Sequence, residues 1–460
     1  MTEIPMDPQA IHRLAKAMLD SGAAASVVDA EAHLQALRVE YRLDAAEAGS
    51  YEHQAALLTG VALARRVFLG GVFVNGELDV PLVAPITVGQ TLGEAVCELG
   101  AVVGVAGGDA PLVYVGGPAR PRSSGFAVRT AGAGWRGGVL PAYSTACPSG
   151  AQAMPLAAML SAALAVNEAF LAVGGNVPAA GKRTVGMSLW APGTDDWLRH
   201  DGAPDLAFLP SRLWLIGLGH LGQAYLWGLG LLPYGDAAQL DLVLQDFDRV
   251  TTSTWSTSIL TEPPRGANPS LVGVRKTRLT AAWAERRGFT TAICERHFNA
   301  NVVRQNHEPS IALCGVDNAP ARRALDKAGF EFVVSAGLGS GHQDFRTVRL
   351  HTLPGERQAD EIWRDVESVQ SPQEAVPYES MVASGVLDRC GAAILAGTAV
   401  GAPFVGAVAA ALGLAEVLRL LHGGVVNRLI DLDLTSLEHK VVIQQKRDFL
   451  HVNPGFVSVA

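Results

Sequence analysis

Residues 213–222 read LWLIGLGHLG, an apolar run that passes directly into the glycine pattern GxGxxG. A second apolar run, residues 242–245, ends at Asp246 and Asp248. In such a unit the first glycine permits a tight turn, the second lets a phosphate approach the backbone, and the third lets the next helix pack closely. The pattern therefore predicts an α/β fold with a Rossmann-like, mostly parallel sheet flanked by helices. A structural turn without a ligand stays open as an alternative, because 50 glycines produce chance matches.

The context of the glycine pattern favours nucleotide binding. A helix is predicted over Gln223–Leu232, and its amino terminus would face an anion held by the turn. The carboxylate at the second strand end would accept hydrogen bonds from ribose hydroxyls. Asp246 is the first choice for that role and Asp248 the second.

Composition limits the classes of protein to which the chain can belong. Its 460 residues are 49% apolar and 17% charged, so two or three domains with a large interior are expected. The net charge is -8 without a long basic run, so neither nucleic acid nor an acidic membrane surface is an expected partner. Five widely spaced cysteines and an amino terminus without signal-peptide character predict a cytoplasmic protein, and no common zinc motif is present.

Apolar spacing and composition divide the chain into four parts. Ala10–Leu19 and Asp29–Leu43 show apolar positions at helical spacing, which predicts a helical lead-in. A polar, proline-containing connector, residues 202–210, separates a Gly/Ala/Val-rich half from the half that carries the glycine pattern. The predicted division is a lead-in, an inactive amino-terminal half, an active half and a tail: residues 1–50, 51–205, 206–440 and 441–460.

The two halves share a long apolar segment. Pro155–Gly175 and Pro403–Gly424 both begin with proline, are rich in alanine, and carry Glu168 and Glu416 at the same offset from it. A strand is predicted after each segment. We interpret the pair as a duplicated unit in which only the second copy kept the glycine-rich loop, giving a pseudo-dimer. Chance similarity between alanine-rich helices is the alternative.

One uncharged stretch, Gly391–Ala415, is long enough to span a bilayer. Pro403 and several glycines interrupt it, and Glu416 and Arg419 follow at once without a flanking cluster of positive charge. These features favour a loop and a buried core helix over a transmembrane helix.

Two further elements bring chemistry to the same sheet. Residues 273–276, GVRK, open a helix predicted to run to about Arg287, and a strand over Ile311–Cys314 ends in GVDNAPAR. A lysine at a helix start can reach bound phosphates, and an aspartate at a strand end can hold the magnesium that bridges them. This favours ATP over a dinucleotide. A solvated Lys276 and a helix-capping Asp317 are the simpler alternatives.

Taken in order, these pieces resemble the ThiF/MoeB and ubiquitin-activating-enzyme (E1-like) family of adenylyltransferases, over roughly residues 211–439. The matching pieces are GLGHLG, QDFD, GVRK, CGVDNAPARRAL, VVSAGLG, and a cysteine ahead of the second long apolar helix. The resemblance implies that the carboxy-terminal carboxylate of a ubiquitin-like protein attacks the α-phosphate of ATP. The resulting acyl-adenylate can pass its acyl group to a crossover-loop cysteine as a thioester.

The resemblance also assigns roles to residues. It implies Lys276, Asp317 and Cys390 as the catalytic residues, with Mg²⁺ bound by Asp317. Cys390 also has a simpler interpretation as a small buried residue, and Cys314, on a core strand, is interpreted as structural. The nucleotide contacts that it implies are Gly217, Gly219, His220, Leu221, Gly222, Asp246, Asp248, Lys276, Asp317, Asn318 and Arg322.

One departure from the family pattern concerns the phosphate site. Where the family carries an asparagine and an arginine, this chain reads TTSTWSTS over residues 251–258. The substitute could come from the other half, from a second subunit, or from an arginine nearby. The nearby candidates are Arg249, Arg265, Arg275 and Arg278.

The resemblance extends to architecture and partners. An inactive half fused to an active one resembles the ubiquitin-activating enzymes, so the expected partners are a ubiquitin-like protein, an E2-like conjugating enzyme and, less directly, a second copy of the chain. Similar proteins occur in bacterial operons for ubiquitin-like conjugation, some of them tied to phage defence. Three other functions stay open: activation of a sulfur-carrier protein, a nucleotide-binding scaffold without turnover, and an NAD-dependent oxidoreductase.

Overall fold

The structure is a computed structural model that describes residues 7, 10–122, 125–263, 271–364, 376–383, 385, 387–449, 452–453 and 455–459. The helices of these residues are α1 (Arg13–Asp20), α2 (Val27–Ala36), α3 (Ala45–Ala48), α4 (Tyr51–Ala64), α5 (Leu92–Glu98), α6 (Pro155–Gly174), α7 (His220–Leu231), α8 (Lys276–Arg286), α9 (Ala319–Arg323), α10 (Ala359–Ile362), α11 (Val376–Ala383), α12 (Arg389–Ala396) and α13 (Pro403–Leu421).

The strands build two large sheets and one small one. They are β1 (Arg38–Leu43), β2 (Gly71–Gly76), β3 (Val102–Val103), β4 (Leu112–Tyr114), β5 (Ala127–Ala133), β6 (Arg136–Pro141), β7 (Val185–Ser188), β8 (Phe208–Pro210), β9 (Arg212–Ile216), β10 (Asp241–Gln245), β11 (Thr290–Cys294), β12 (Ile311–Cys314), β13 (Phe332–Leu338), β14 (Thr347–Leu353), β15 (Asn427–Asp433), β16 (Val441–Gln444) and β17 (Phe456–Ser458).

Both large sheets have the same topology. The first has the order β3-β2-β1-β4-β5-β6-β7, and the second the order β11-β10-β9-β12-β13-β14-β15-β16. In each sheet the first five strands are parallel and the strands that follow are antiparallel. The second half adds only β16 at the outer edge. The predicted α/β fold, with a degenerate amino-terminal copy of the same unit, is therefore confirmed.

Two long helices form the centre of the molecule. A proline at the first helical position, whose fixed φ suits a helix start, opens both α6 and α13. By length and composition both could cross a membrane, but 83% and 89% of their most apolar windows are buried inside the protein. They pack against each other and against α4 and α7. The buried-helix interpretation is therefore confirmed for residues 403–415, but the loop predicted before them was wrong for residues 391–396, which lie in α12.

The duplicated glutamates occupy equivalent buried positions. Glu168 of α6 accepts hydrogen bonds from the Gly181 N–H (2.8 Å) and from Arg183 (2.7 Å). Glu416 of α13 accepts from the Asn427 N–H (2.9 Å) and from Arg419. Buried carboxylates require such donors, because an unpaired buried charge is costly. Each glutamate thus ties its helix to the residues that lead into the next strand or to that strand itself.

The lead-in prediction was wrong for residues 38–43, which form β1 and not the end of a helix. The first sheet therefore begins at Arg38. The signal was present in the sequence, because Val39, Tyr41 and Leu43 alternate with polar residues as in a strand. Burial of all three side chains in the core stabilises the strand.

The first sheet carries charged side chains where the second carries its glycine-rich loop. The short helix α3 follows β1 directly, and Asp44 forms an ion pair with Arg120. A Cβ atom added to Gly117, after β4, would lie 3.3 Å from both of these side chains and 3.9 Å from Glu47. Two carboxylates and a short helix therefore occupy this edge, which disfavours a triphosphate there.

Candidate nucleotide site

The predicted site residues meet at the carboxyl edge of the second sheet. Ile216 pairs with Gln245 and with Cys314, and Gln245 pairs with Cys294, so β9 to β12 end at one level. Neighbouring strands lie about 4.8 Å apart. The glycine-rich loop, Asp246 and the loop that bears Asp317 are consequently side by side. This is the place where open parallel sheets bind ligands.

The three glycines of the loop play different parts. Gly217 has a φ of +85°, which disfavours side chains, and its added Cβ would lie 3.0 Å from the Val316 nitrogen. A Cβ on Gly222 would overlap the Gly217 carbonyl group, with 2.8 Å to the carbonyl carbon. Gly219 differs, because its Cβ would meet only the Lys276 Nζ, at 3.8 Å. Gly219 therefore faces the open space in front of that amine.

Helix α7 begins in this loop, and no side chain caps its amino terminus. The first N–H groups of a helix have no partner within it, so an uncapped start attracts anions. The His220 side chain points elsewhere, because its Nε2 accepts a hydrogen bond from the Gly406 N–H of α13 (3.2 Å), and burial lowers its pKa to about 4. Leu221 is buried. Both predicted contacts can offer only their backbone N–H groups.

Asp246 and Asp248 have distinct surroundings. The Asp246 carboxylate accepts from the N–H groups of Leu218 (2.6 Å) and Asp248 (2.6 Å), so it holds the glycine-rich loop against β10. Asp248 is largely exposed and pairs with Lys276 at 2.9 Å. The Lys276 amine is thus held between Asp248 and the open space at Gly219, where a phosphate could replace its exposed partner.

In the loop after β12, two of the predicted nucleotide contacts make structural hydrogen bonds and one is free to bind a ligand. Asn318 caps α9 by accepting from the Ala321 N–H (2.9 Å). Arg322 donates to the carbonyl groups of Val316 (2.7 Å) and Ala336 (3.1 Å), which clamps the loop to β13. Asp317 is exposed, and within the described residues its carboxylate has no hydrogen-bond or ion-pair partner. It is the residue of this loop that is available to a ligand.

A cavity beside Asp246 was not predicted from the sequence. It has a volume of about 300 Å³ and is lined by residues that include Phe247, His297, Asn299 and Asn301. The Phe247 and His297 rings lie 4.2 Å apart at 30°, and Phe247 is 42% exposed. The sequence did carry one signal for this cavity, because Phe247 is an aromatic residue between two aspartates at a strand end. The Arg275 guanidinium also lies over the Phe247 ring at 4.7 Å, so the cavity offers a planar, hydrogen-bonding base apolar walls and amide side chains.

Three of the four arginines that could replace the family arginine already have a hydrogen-bond or ion-pair partner. Arg249 donates to the Gly273 carbonyl (2.7 Å), Arg275 to the Phe247 carbonyl, and Arg278 pairs with Glu295 (2.8 Å). The fourth candidate, Arg265, lies outside the described residues.

A further arginine comes from the lead-in. Arg13 begins α1, and its backbone N–H donates to the Ser256 hydroxyl (3.4 Å), within the segment that replaces the family arginine. Next to it, a Cβ on Gly401 would lie 3.2 Å from Thr257 and 3.7 Å from His220. Burial lowers the pKa of the Arg13 guanidinium, for which the described residues offer no acceptor.

Cys390 lies in the first turn of α12, and its thiol is exposed, so the interpretation as a buried residue is excluded. Asp388 caps that turn by accepting from the Gly391 N–H (2.6 Å). The preceding helix, α11, is tied to the lead-in, because the Tyr378 hydroxyl donates to Asp20 of α1. Cys314, in contrast, is fully buried.

The chain has two halves of one topology, with a glycine-rich loop in the second half only, which is the arrangement expected of an E1-like protein. The models of the BilD amino-terminal and carboxy-terminal domains match residues 38–189 and 209–424. The bacterial E1-like protein BilD of Collimonas sp. (strain OK412) is 44% identical over 425 residues, which are 92% of this chain and 90% of that protein. The chain belongs to the BilD family of bacterial E1-like proteins.

Solved structures show a more distant likeness. The Escherichia coli tRNA N6-threonylcarbamoyladenosine dehydratase TcdA shares 14% identity, covers 46% of this chain and 86% of its own, and has a TM-score of 0.30. Its complex with ATP gives the same values. At this level the likeness carries no information on function.

Proposed function

We propose that the chain binds ATP in its second half and adenylates the carboxy-terminal carboxylate of a ubiquitin-like protein. The observation that carries the proposal is the Lys276 amine facing the only glycine of the loop that leaves open space beside it. The aromatic cavity beside Asp246 supports a purine base. The nearby unpaired Asp317 supplies negative charge for a phosphate-bound cation.

The reaction follows from these positions. A carboxylate oxygen of the partner's tail attacks the α-phosphorus, the bond from that phosphorus to the bridging oxygen breaks, and pyrophosphate leaves. The acyl-adenylate that forms carries AMP as its leaving group. The first N–H groups of α7 and the Lys276 amine stabilise the charge that builds on the phosphates, which is the main task of a protein in such a transfer.

A magnesium ion fits one residue of the edge. Mg²⁺ usually takes one or two carboxylates and fills its remaining positions with water and substrate phosphates. The described residues contain no group of three or more potential ligands, and Asp317 presents a single free carboxylate. Asp317 would hold the ion, which would neutralise charge on the leaving pyrophosphate.

The missing arginine has a substitute in Arg13. Its backbone lies beside Ser256, and its largely buried guanidinium has no acceptor among the described residues, which a phosphate would supply. We expect Arg13→Ala to weaken ATP binding much more than AMP binding, because the missing charge acts on the outer phosphates. Arg278→Ala, at an exposed arginine already paired with Glu295, is the matched control. Equal losses for ATP and AMP would contradict this role.

Cys390 is the proposed acyl acceptor. Its thiolate would attack the acyl carbon of the adenylate, AMP would leave, and a thioester would remain. The acyl group would then pass to a conjugating-enzyme-like partner. Because the inactive half already pairs with the active one, the site needs no second copy of the chain.

The decisive experiment is pyrophosphate exchange with the cognate ubiquitin-like protein. Labelled pyrophosphate should enter ATP only when that protein and Mg²⁺ are present, and Asp317→Ala should reduce the rate by at least 100-fold. Asp241→Ala, at an exposed residue at the opposite end of β10, is the matched control. Unchanged exchange in the Asp317 variant would refute the proposal.

A scaffold without turnover is the second candidate. It is favoured by the hydroxyl-rich residues 251–258, which contain no cation. This candidate requires saturable ATP binding with no exchange in the presence of any ubiquitin-like or sulfur-carrier protein.

A further inference from the structure

The carboxy-terminal tail covers the amino edge of the second sheet. After β16 the Gln445 N–H donates to the Val426 carbonyl (2.8 Å), and its side chain donates to the Pro354 carbonyl (3.3 Å). The Phe449 ring then packs edge-on against Phe332, with 5.1 Å between centroids, and is 6% exposed. An extended segment with one aromatic anchor thus crosses the end of β14 and the start of β13.

The first sheet has an equivalent position. Val128 pairs with Pro141 in the first sheet as Val333 pairs with Leu353 in the second, at the same place in strands of the same order. Ala127 is therefore the counterpart of Phe332, and Ala142 is the counterpart of Pro354. An alanine in place of phenylalanine, at the start of β5, leaves room that the second sheet does not have.

A groove of about 480 Å³ lies at this position. Its apolar lining includes Phe126, Ala127 and Ala142, together with Ala172 of α6. The second sheet fills the same place with its own tail. The duplicated architecture therefore supplies a template for the occupant, namely an extended segment that inserts one large apolar side chain.

The charges around the two positions differ. In the second half Glu356 pairs with Lys446 of the tail (3.1 Å) and with Arg428 of β15 (3.0 Å). In the first half the charged lining residues are Arg122 and Lys182, both exposed, and Arg122 lies 5.0 Å from the Tyr143 ring. A segment bound there should carry carboxylates where the tail carries its lysine.

We propose that this groove binds an extended, acidic segment of a partner protein. A large apolar side chain of the segment inserts above Ala127, and one or two of its carboxylates face Arg122 and Lys182. The proposal does not depend on the adenylation chemistry, because the groove is formed by the first half alone.

Two labelled peptides test the proposal on the full chain by fluorescence anisotropy. The first repeats residues 441–449 of the tail, and the second carries Lys446→Glu and Arg447→Glu in the same sequence. We expect the acidic peptide to bind at least ten-fold more tightly than the unchanged one, with an affinity that falls as salt rises. The double variant Arg122→Glu, Lys182→Glu should reverse this preference.

The second test of the proposal fills the groove with a large side chain. Ala172→Phe should abolish binding of the acidic peptide, whereas Ala179→Phe, at an exposed position outside the lining, should not. Thermal unfolding of both variants checks that they fold. The charge reversal tests the proposal independently should Ala172→Phe fail to fold.

Three results would overturn the proposal. They are no saturable binding of the acidic peptide, binding that ignores the charge reversal, and a concentration-dependent dimer that Ala172→Phe dissolves. The last result would assign the groove to a second copy of the chain.

Discussion

Of the three loop glycines, Gly219 is the one whose change to alanine should separate nucleotide binding from folding. The added methyl group would lie 3.8 Å from the Lys276 Nζ and touch nothing else. An alanine is a poorer residue than glycine at the start of a helix, by up to about 1 kcal/mol. The lower entropy of the unfolded chain offsets about 0.4 to 1 kcal/mol of that. The free energy of unfolding should therefore change by less than about 0.5 kcal/mol.

The same methyl group occupies the space in which a phosphate would contact both the Gly219 backbone and the Lys276 amine. Loss of one hydrogen bond to a charged group costs about 1.5 to 3 kcal/mol, which corresponds to about a 10- to 150-fold weaker affinity for ATP. Isothermal titration with ATP, beside thermal unfolding of the same sample, measures both quantities.

Gly222→Ala is the matched control, because it should lower stability where Gly219→Ala should not. Its methyl group overlaps the Gly217 carbonyl, so the loop or the helix must move, at about 1 to 3 kcal/mol of stability. A folded Gly219→Ala variant that binds ATP as tightly as the unchanged protein would refute the assignment of this loop to the phosphates.

Three further predictions follow from the site and the core. Cys390→Ala should retain pyrophosphate exchange but lose the adduct with the ubiquitin-like protein that reducing agent releases, seen on a non-reducing gel. Phe247→Ala should weaken ADP binding while leaving pyrophosphate binding unchanged, since it removes part of the apolar wall of the base cavity. Burial holds the pKa of His12 at about 4, below its ordinary value, so the folded state binds fewer protons than the unfolded state between pH 4 and 6.5. Stability should therefore decrease as the pH is lowered through that window, and at pH 5 His12→Asn should recover about 2 kcal/mol of the loss in urea unfolding.

Much of the active half could be predicted because its signals are local. A glycine turn between a strand and a helix, and a lysine at a helix start, need only their neighbours in sequence. The strand over Ile311–Cys314 has the predicted bounds, and the helix after GVRK runs over Lys276–Arg286. The duplication was also readable, because the two proline-started helices must each be buried whatever surrounds them.

Other features were decided by tertiary packing. Side-chain direction cannot be read from a motif, and so His220 turns inward to α13 while Arg322 clamps two carbonyl groups. The base cavity needs Phe247 and His297, which come from the ends of different strands.

The sequence by itself determined the fold class, the repeated unit and the half that carries the glycine-rich loop. These follow from hydrophobic periodicity and backbone conformation, which act over a few residues. Only the tertiary structure placed Arg13 beside Ser256, 243 positions away, and left a groove where the first sheet has Ala127 and the second has Phe332. Such contacts join remote segments, and their formation depends on how whole helices and sheets pack around a shared core.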